Sequence, residues 1–532
     1  MKKIIFTIST VISIVLIFLL VGEVSVKKKV KQVNSSNYEN AIVYNITKSP
    51  KDLVMLNSYN IREKDILSNL FEGLVNMDED GKIIPGLAEK WSTNKDKTEY
   101  TFTIRKGAKW SDGHTITADD FVDLFSNILK TKSDNLYVHQ LNLIFGVQDY
   151  INNNSDSNNI AIKALNERTL QFRLNYSSDY FLNIMAEPIY SLRKINDDSL
   201  NWKKNYSNIL YSGSFKIDKI LDNGSVVLKK NNDYWNKGNV KDSKVVITFF
   251  NSSESALAAF HNGDVNLFTN PPISEMKNIE NTSIVPSYGG EELVFNRRKS
   301  SELDNGNFRK AIELSIDKRN IVQNILFNQV NASSIYVPYS NGNILNQNYI
   351  KADELLPKVK EAKEFMDKSE YKYNGIPLKL IYVNTVENKK VCDSIGKNIE
   401  DTLGIEVNCV GYNEDDFKQK IKGTDYDIAK LSYRGEYYYP LALLENWESS
   451  SKLNFVKYRN SQFDTKILQA IFEKDDSKRL TQLKQAEEIL LKDTALIPLH
   501  LDNTILCSKN YVKGVYVNKL GNVKLDRAYL SK

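Results

Sequence analysis

The chain has 532 residues, of which 41% are hydrophobic and 26% charged, a composition that fits a soluble multidomain protein and excludes a polytopic membrane protein. The formal net charge is +5, yet six of the 71 Lys and Arg residues and only one of the 66 Asp and Glu residues lie in the first 33 positions. The remaining body is therefore balanced in charge, which gives no electrostatic case for nucleic-acid binding.

The N-terminal segment has the layout of a secretory signal or a membrane anchor, because Lys2 and Lys3 precede an apolar stretch from Ile4 to Val21. That stretch is long enough to span a bilayer as a helix. Small residues are missing where a signal peptidase reads the chain, although cleavage after Ser25 stays open. We expect residues 1–33 to be an uncleaved anchor with the body outside the cell membrane, and a secreted protein if the segment is cut.

The first patterned region alternates Tyr100, Phe102 and Ile104, and then reaches Lys106-Gly107 and the short stretch from Ala108 to Trp110. Alternation of this kind is typical of a strand with one buried face. We expect a half-buried hairpin in which the two stretches pair.

A helix follows at once. Thr117 and Asp120 have the spacing of a capping box. Apolar residues then recur with the period of a helix, which predicts one buried face. These residues are Phe121, Leu124, Phe125, Ile128 and Leu129.

Further strands and helices alternate along the rest of the chain, which predicts a mixed α/β protein. Strands are predicted around residues 170–174, 225–228 and 245–250, and the polar stretch from Asn152 to Asn159 predicts a surface loop. Helical apolar faces recur at Phe308, Ala311, Ile312 and Ser315, at Val391, Cys392, Ile395, Ile399 and Leu403, and at Leu480, Leu483, Ala486, Ile489 and Leu490.

The sequence lacks the usual signatures of catalysis and of metal or cofactor binding. It contains no Gly-x-Ser-x-Gly, His-Glu-x-x-His, Cys-x-x-Cys or phosphate-binding glycine loop, and only four histidines. We therefore expect no enzyme, metal or cofactor. Cys392, Cys409 and Cys507 are interpreted as small buried side chains, with a Cys409–Cys507 disulfide left open.

A long composite motif extends over most of the chain. Its densest part is Asn69 to Leu74, Pro85 to Trp91, Tyr100 to Phe102, Arg105 to Gly113 and Thr117 to Val122. Its later parts include Gly213-Ser214-Phe215, Asn307 to Ile312 with Ser315 to Lys318, and Ile497-Pro498-Leu499. This motif resembles the peptide-, dipeptide- and nickel-binding components of ABC importers, the extracellular solute-binding proteins of family 5.

The resemblance implies a periplasmic-binding-protein-like fold of two lobes with an extra subdomain and a hinge near residues 292 and 504. We expect domain I in residues 34–70, 190–292 and 505–532, domain II in 71–189 and domain III in 293–504. The resemblance also implies a short peptide as ligand, the permease of an ABC transporter as partner, and a monomer. Where lipid-anchored relatives carry a cysteine, this chain has Glu23, so no lipid is attached there.

The family places an acidic residue in the cleft, where it receives the ammonium group of the peptide. Here Glu436 takes that position and Tyr433 takes the place of the family's tryptophan. Lys430 matches a position that can meet the peptide carboxylate with an arginine, and Asn388 matches one that can carry histidine.

The remaining expected ligand contacts are side-chain pockets and backbone groups. Tyrosine suits such pockets because its flat ring loses little rotamer entropy on binding. Tyr433, Tyr437 and Tyr412 are expected to line the pockets, Ser432 and Arg434 to offer backbone groups, and Tyr59, Asn60 and Ile61 to contribute from the opposite lobe.

Two other functions stay open from the sequence. A nickel or nickel-chelate binding protein would share the fold, and an acid at position 436 favours peptide over it. A membrane-anchored sensor of a secreted peptide, coupled to no transporter, is favoured by the missing lipid-attachment cysteine.

Overall fold

A computed structural model describes residues 38, 40–58, 60–131, 135–241, 244–279, 281–338 and 355–531. The predicted anchor in residues 1–33 and the predicted site residue Tyr59 lie outside these ranges. The strands are β1 Ala41–Asn45, β2 Val75–Met77, β3 Ile83–Pro85, β4 Ala88–Thr93, β5 Glu99–Ile104, β6 Ile162–Asn166, β7 Thr169–Arg173, β8 Phe215–Ile220, β9 Val226–Lys230, β10 Lys244–Thr248, β11 Leu267–Thr269, β12 Thr282–Phe295, β13 Asn331–Ala332, β14 Leu378–Val383, β15 Val407–Tyr412, β16 Ile428–Arg434, β17 Leu496–Ser508, β18 Val512–Lys513, β19 Tyr516–Val517, β20 Val523–Lys524 and β21 Tyr529–Leu530.

Helices lie between these strands, so the predicted mixed α/β class is confirmed. The α-helices are Ile61–Leu70, Ala118–Lys130, Leu136–Gln140, Val147–Ile151, Phe181–Met185, Asp197–Leu200, Trp202–Asn205, Ser253–Asn262, Ser301–Asp304, Gly306–Ser315, Lys318–Asn320, Val359–Ser369, Val386–Leu403, Glu414–Lys420, Leu441–Leu444, Ser461–Phe472 and Asp476–Lys492. Among these described helices, none is long and apolar enough to cross a membrane.

One large sheet runs through the described residues in the order β15-β14-β16-β12-β17-β11-β1-β10-β9-β8, with β13 paired to β17. The strands β14, β15 and β16 are parallel to one another, as are β1, β10 and β11. Two long antiparallel strands, β12 and β17, lie between these two parallel groups. They join the N-terminal and C-terminal halves of the chain.

The crossing strands have an interruption in their middle. The register of β12 against β17 shifts between Pro286 and Gly290. A Cβ atom on Gly289 would lie 2.2 Å from the Tyr433 carbonyl oxygen, and one on Gly290 would lie 2.2 Å from the His500 carbonyl oxygen. Such distances are shorter than any contact between non-bonded atoms, so glycine is required at both positions for the three strands to approach.

The region around residues 71–189 has its own four-stranded sheet, β4-β5-β7-β6. The predicted hairpin is wrong, because β5 pairs with β4 on one side and β7 on the other, which leaves no edge for Ala108 to Trp110. That stretch instead bridges locally, from Lys109 to Thr115. Strand alternation in the sequence showed the buried face of β5 but carried no information on its partners.

The predicted helix after it is confirmed as Ala118–Lys130. The Asp120 carboxylate accepts a hydrogen bond from the Thr117 backbone N–H at 2.9 Å, and the five predicted apolar residues are buried. The helices with apolar faces predicted further along the chain also form, as Gly306–Ser315, Val386–Leu403 and Asp476–Lys492. The three cysteines are free thiols, so the disulfide left open by the sequence does not form.

Separate apolar clusters underlie the two halves of the large sheet. Beneath β14, β16 and the end of β12, the buried residues include Phe295, Phe308, Leu380, Ile395 and Ile428. Beneath β1 and β10 they include Val43, Val246 and Phe260. A third and larger cluster draws buried residues from both halves of the sheet, and β12 and β17 run from one half to the other.

Candidate functional site

The strand β16 presents an open edge. On one side it pairs with β12 over its whole length, from Ile428 to Arg434. On the other side β14 pairs with it only at Ile428 and Ala429. No strand in the described ranges covers that side from Lys430 to Arg434, so its backbone groups are placed to pair with an added strand.

Glu436 lies just beyond this open edge, where the C-terminal half of the chain meets the helix Ile61–Leu70. Its carboxylate forms an ion pair with the Lys64 ammonium, and the side chains are only 11% and 7% exposed. The Tyr137 hydroxyl donates a second hydrogen bond to it at 3.1 Å. Glu436 therefore already binds one ammonium group, that of Lys64. Because both side chains are mostly shielded from solvent, the attraction between them is only weakly screened.

The helix that carries Lys64 is fixed at its first turn. The Asn60 side chain caps it by accepting from the Arg62 backbone N–H at 2.9 Å. Ile61, the first helical residue, lines a small cavity together with Lys64, Arg434 and Glu436. The free space there is about 10 Å³, room for at most one water molecule. The two halves of the chain are therefore closed on each other, and a ligand can enter only if they separate.

A second cluster of polar and charged side chains surrounds Glu291 on β12. Its carboxylate pairs with the Lys430 ammonium, which also donates to the Asn388 side-chain oxygen at 2.7 Å. The Ser432 hydroxyl donates to Glu291 at 3.2 Å. Burial raises the pKa of Glu291, but the charges of Lys430 and His500 outweigh it and hold the pKa well below its usual range. The predicted carboxylate-binding residues, Lys430 and Asn388, are thus brought together, already paired to a carboxylate of the chain.

His500 on β17 completes this group. Its ring nitrogens lie 3.2 Å from Glu291 and 3.1 Å from Asp502, with the carboxylate oxygens out of line with the N–H bonds, so these are ion pairs rather than well-directed hydrogen bonds. Burial disfavours the charged imidazole, but Asp502 and Glu291 outweigh burial and raise its pKa to about 9.

The stability contributed by protonated His500 is expected to depend on pH. Because the folded pKa is raised, this contribution is complete below the unfolded pKa of about 6.5 and is lost as the pH rises through about 9. The free energy of unfolding of the native chain should therefore fall by up to about 3 kcal/mol more than that of His500→Gln between pH 6 and pH 10. Urea unfolding at each pH measures this difference. His114→Gln is the control, because that side chain is 83% exposed. An unchanged slope in His500→Gln would contradict the assignment.

The predicted tyrosines are spread over three places. The Tyr433 ring packs 4.3 Å from Tyr336, and its hydroxyl donates to the Tyr336 carbonyl at 2.7 Å. Tyr437 is buried, stacked 6.0 Å from Tyr180, with its hydroxyl donating to Glu445. Tyr412 ends β15 and has the Lys420 ammonium 5.7 Å from its ring. Only Tyr433 belongs to the open strand edge itself.

Further contacts join residues 71–189 to the C-terminal half. Tyr180 stacks 5.0 Å from Tyr439. Arg479, which is fully buried, contacts the Asp179 carboxylate at 3.3 Å and donates to the Ser177 carbonyl at 3.2 Å. These contacts join the two regions at a second place besides Lys64 and Glu436.

Sequence reasoning missed several residues of this site. Lys64 and Glu291 carry no motif, and their role follows only from which elements meet. His500 also carries no motif, yet it lies between two carboxylates. The alternation that places His500 and Asp502 on one face of a strand was the only available signal.

The described residues contain no group of three or more His, Cys, Asp or Glu side chains that could hold a metal ion. A larger cavity of about 500 Å³ lies elsewhere, lined by residues such as Phe145, Lys163 and Arg173. It contains none of the predicted site residues, so we do not assign it to ligand binding.

Comparison with known proteins places the chain in a family. The family model described as "Bacterial extracellular solute-binding proteins, family 5 Middle" matches residues 82–455. The dipeptide-binding protein DppE of Bacillus subtilis is 27% identical over 471 residues, which covers 87% of each protein. The oligopeptide-binding protein OppA of the same organism is 28% identical over 483 residues, covering 87% of this chain and 88% of that protein.

Solved structures show the same fold. The Escherichia coli murein tripeptide binding protein MppA superposes with a TM-score of 0.79 at 22% identity, covering 92% of this chain and 98% of that one. Listeria monocytogenes OppA bound to peptide gives 0.75 at 24% identity, covering 92% and 99%. The predicted periplasmic-binding-protein-like, two-lobe fold is confirmed.

Proposed function

Because the chain belongs to the bacterial extracellular solute-binding proteins of family 5, we propose that it is the extracytoplasmic binding component of an ABC importer and captures short peptides. One observation carries this proposal: the open edge of β16 ends beside Glu436, a buried carboxylate that already holds an ammonium group. An extended peptide added to that edge would pair its backbone with Lys430 to Arg434 and place its amino end at Glu436.

Capture and release follow from opening and closing the cleft. We assign domain I to residues 34–70, 190–292 and 505–532, domain II to 71–189 and domain III to 293–504, joined by β12 and β17. The near absence of free space beside Glu436 supports a closed form that must open to admit ligand. A ligand that contacts both sides shifts the equilibrium toward closure, and the permease is proposed to recognise that closed form.

The location and assembly of the protein are part of the proposal. The family is extracellular, and residues 1–33 are proposed to anchor the chain to the cell membrane or, if cleaved, to release it. The chain is proposed to bind as a monomer and to perform no chemistry on its ligand.

The test is to identify what the protein carries. Native mass spectrometry of the full chain purified from expressing cells, followed by denaturing release, is expected to find peptides of a few residues. A metal chelate in their place would overturn the peptide assignment in favour of nickel binding. An empty cleft whose melting temperature no peptide pool raises would also overturn it. Peptide binding without any interaction with a permease would favour the sensor.

A further inference from the structure

Glu187 is a buried acidic residue next to the cleft that neither motif nor resemblance selects. It directly precedes the short helix Pro188–Tyr190 and is 1% exposed. Neither of its carboxylate oxygens receives a hydrogen bond from any described residue. Pro188 lines the small cavity beside Lys64 and Glu436, so Glu187 adjoins the proposed position of the peptide amino end. A buried carboxyl group without a donor is costly, which points to a partner that the chain does not supply.

The groups that face Glu187 do not provide this partner. Gln140 lies beside it and lowers the pKa of Glu187, but the contact falls outside normal hydrogen-bond geometry. The nearby Tyr190 hydroxyl donates instead to the Tyr137 carbonyl at 2.7 Å. Lys64 pairs with Glu436. Arg434, which also lines the cavity, donates to the Leu520 carbonyl at 3.2 Å.

The surroundings of Glu187 raise the pKa of its carboxyl group. Burial raises the pKa of Glu187, the charge of Glu436 raises it further, and Lys64 lowers it, while Glu445 adds a smaller increase. The result is a pKa well above the ordinary value for glutamate. Burial and the charge of Glu436 therefore favour the protonated form of Glu187 in the absence of ligand.

We propose that Glu187 is a second carboxylate for the amino end of the peptide, so that two ammonium groups, the ligand's and that of Lys64, face two carboxylates. The inference rests on the proposed function and specifies which end of the peptide enters this corner. Since Lys64 already neutralises Glu436, a second ammonium group needs a second negative charge. Glu187 supplies it by losing its proton to solvent as the ligand ammonium enters, and no covalent bond other than that O–H bond changes.

The test is whether binding releases a proton. Isothermal titration calorimetry at pH 7, in two buffers that differ in heat of ionisation, measures protons released per ligand bound. The probes are a synthetic pool of random tetra- and pentapeptides with free amino ends and the same pool N-acetylated. We expect the native full chain to release about one proton with the free-amine pool and none with the acetylated pool.

Variants assign the proton to this residue. Glu187→Gln is expected to abolish the release and to weaken binding of the free-amine pool about 10-fold, while Glu187→Asp keeps the release. The matched control is Glu72→Gln, because Glu72 is also buried with a raised pKa. A glutamine oxygen there can still accept from Asn76 and Trp235, as the Glu72 oxygen does.

The outcomes separate this inference from the proposed function. Peptide binding without proton release in the native chain overturns the role of Glu187, as does unchanged release in Glu187→Gln or an equal loss in Glu72→Gln. Failure of both pools to bind overturns the peptide proposal itself. Thermal melting of each variant shows that the fold is retained.

Discussion

Replacing Glu436 by Gln is expected to weaken binding of free-amine peptides by about 100-fold or more. Glutamine cannot balance the Lys64 ammonium, which is 7% exposed, and the ligand's own ammonium would then enter beside it. Removing one member of a buried, hydrogen-bonded charge pair costs about 2–5 kcal/mol. The expected loss lies in affinity, measured by calorimetry with the random tetra- and pentapeptide pool.

Two controls make the Glu436 result specific. Tyr412→Phe changes a predicted site residue that ends β15 with Lys420 against its ring, and it should leave affinity within about 2-fold. Glu436→Asp keeps the charge and should recover part of the binding. Unchanged affinity in Glu436→Gln, with the fold verified by thermal melting, would show that the amino end of the peptide lies elsewhere.

Replacing Arg479 by Leu is expected to lower the free energy of unfolding by about 3–5 kcal/mol, since it leaves buried acceptors without their cation. The guanidinium contacts the Asp179 and Asp476 carboxylates at 3.3 and 3.1 Å and donates to the Ser177 and Ala470 carbonyls at 3.2 Å each. Urea unfolding measures the loss.

The same substitution is expected to open the cleft. Asp179 and Ser177 belong to residues 71–189, so the variant also removes a contact that holds the closed form, and the radius of gyration in small-angle scattering should rise. Lys474→Ala is the control, because its pair with Asp96 joins the same two regions but is 73% and 64% exposed. That change should cost no more than about 1 kcal/mol. Equal effects of the two variants would contradict a special role for Arg479.

Local patterns in the sequence were sufficient for the predicted helices and for the class of the fold. The helix Ala118–Lys130 follows from its capping residues and its apolar period, both of which are local. The pairing of β5 could not be predicted in this way, since alternation is the same whichever strand lies alongside. The hairpin prediction failed for that reason.

The residues of the candidate site also fall into those that the sequence could select and those that it could not. The resemblance selected Glu436, Lys430 and Asn388, and the structure places Lys430 and Asn388 within 2.7 Å of each other. It could not select Lys64 or Glu187, because their importance comes from a meeting of segments far apart in the chain. Charged residues are scattered along the sequence, and nothing local marks the ones that are buried together.

The two crossing strands also determine how the molecule can move. Because β12 and β17 are hydrogen-bonded side by side, they form a ribbon rather than two independent tethers. In the proposed opening and closing of the cleft, the two strands would therefore bend together as one unit. The weakest point lies between Pro286, which has no N–H to donate, and Gly290, where the ladder shifts register. The proposed closing movement would thus bring Glu436 back to its position opposite Lys64.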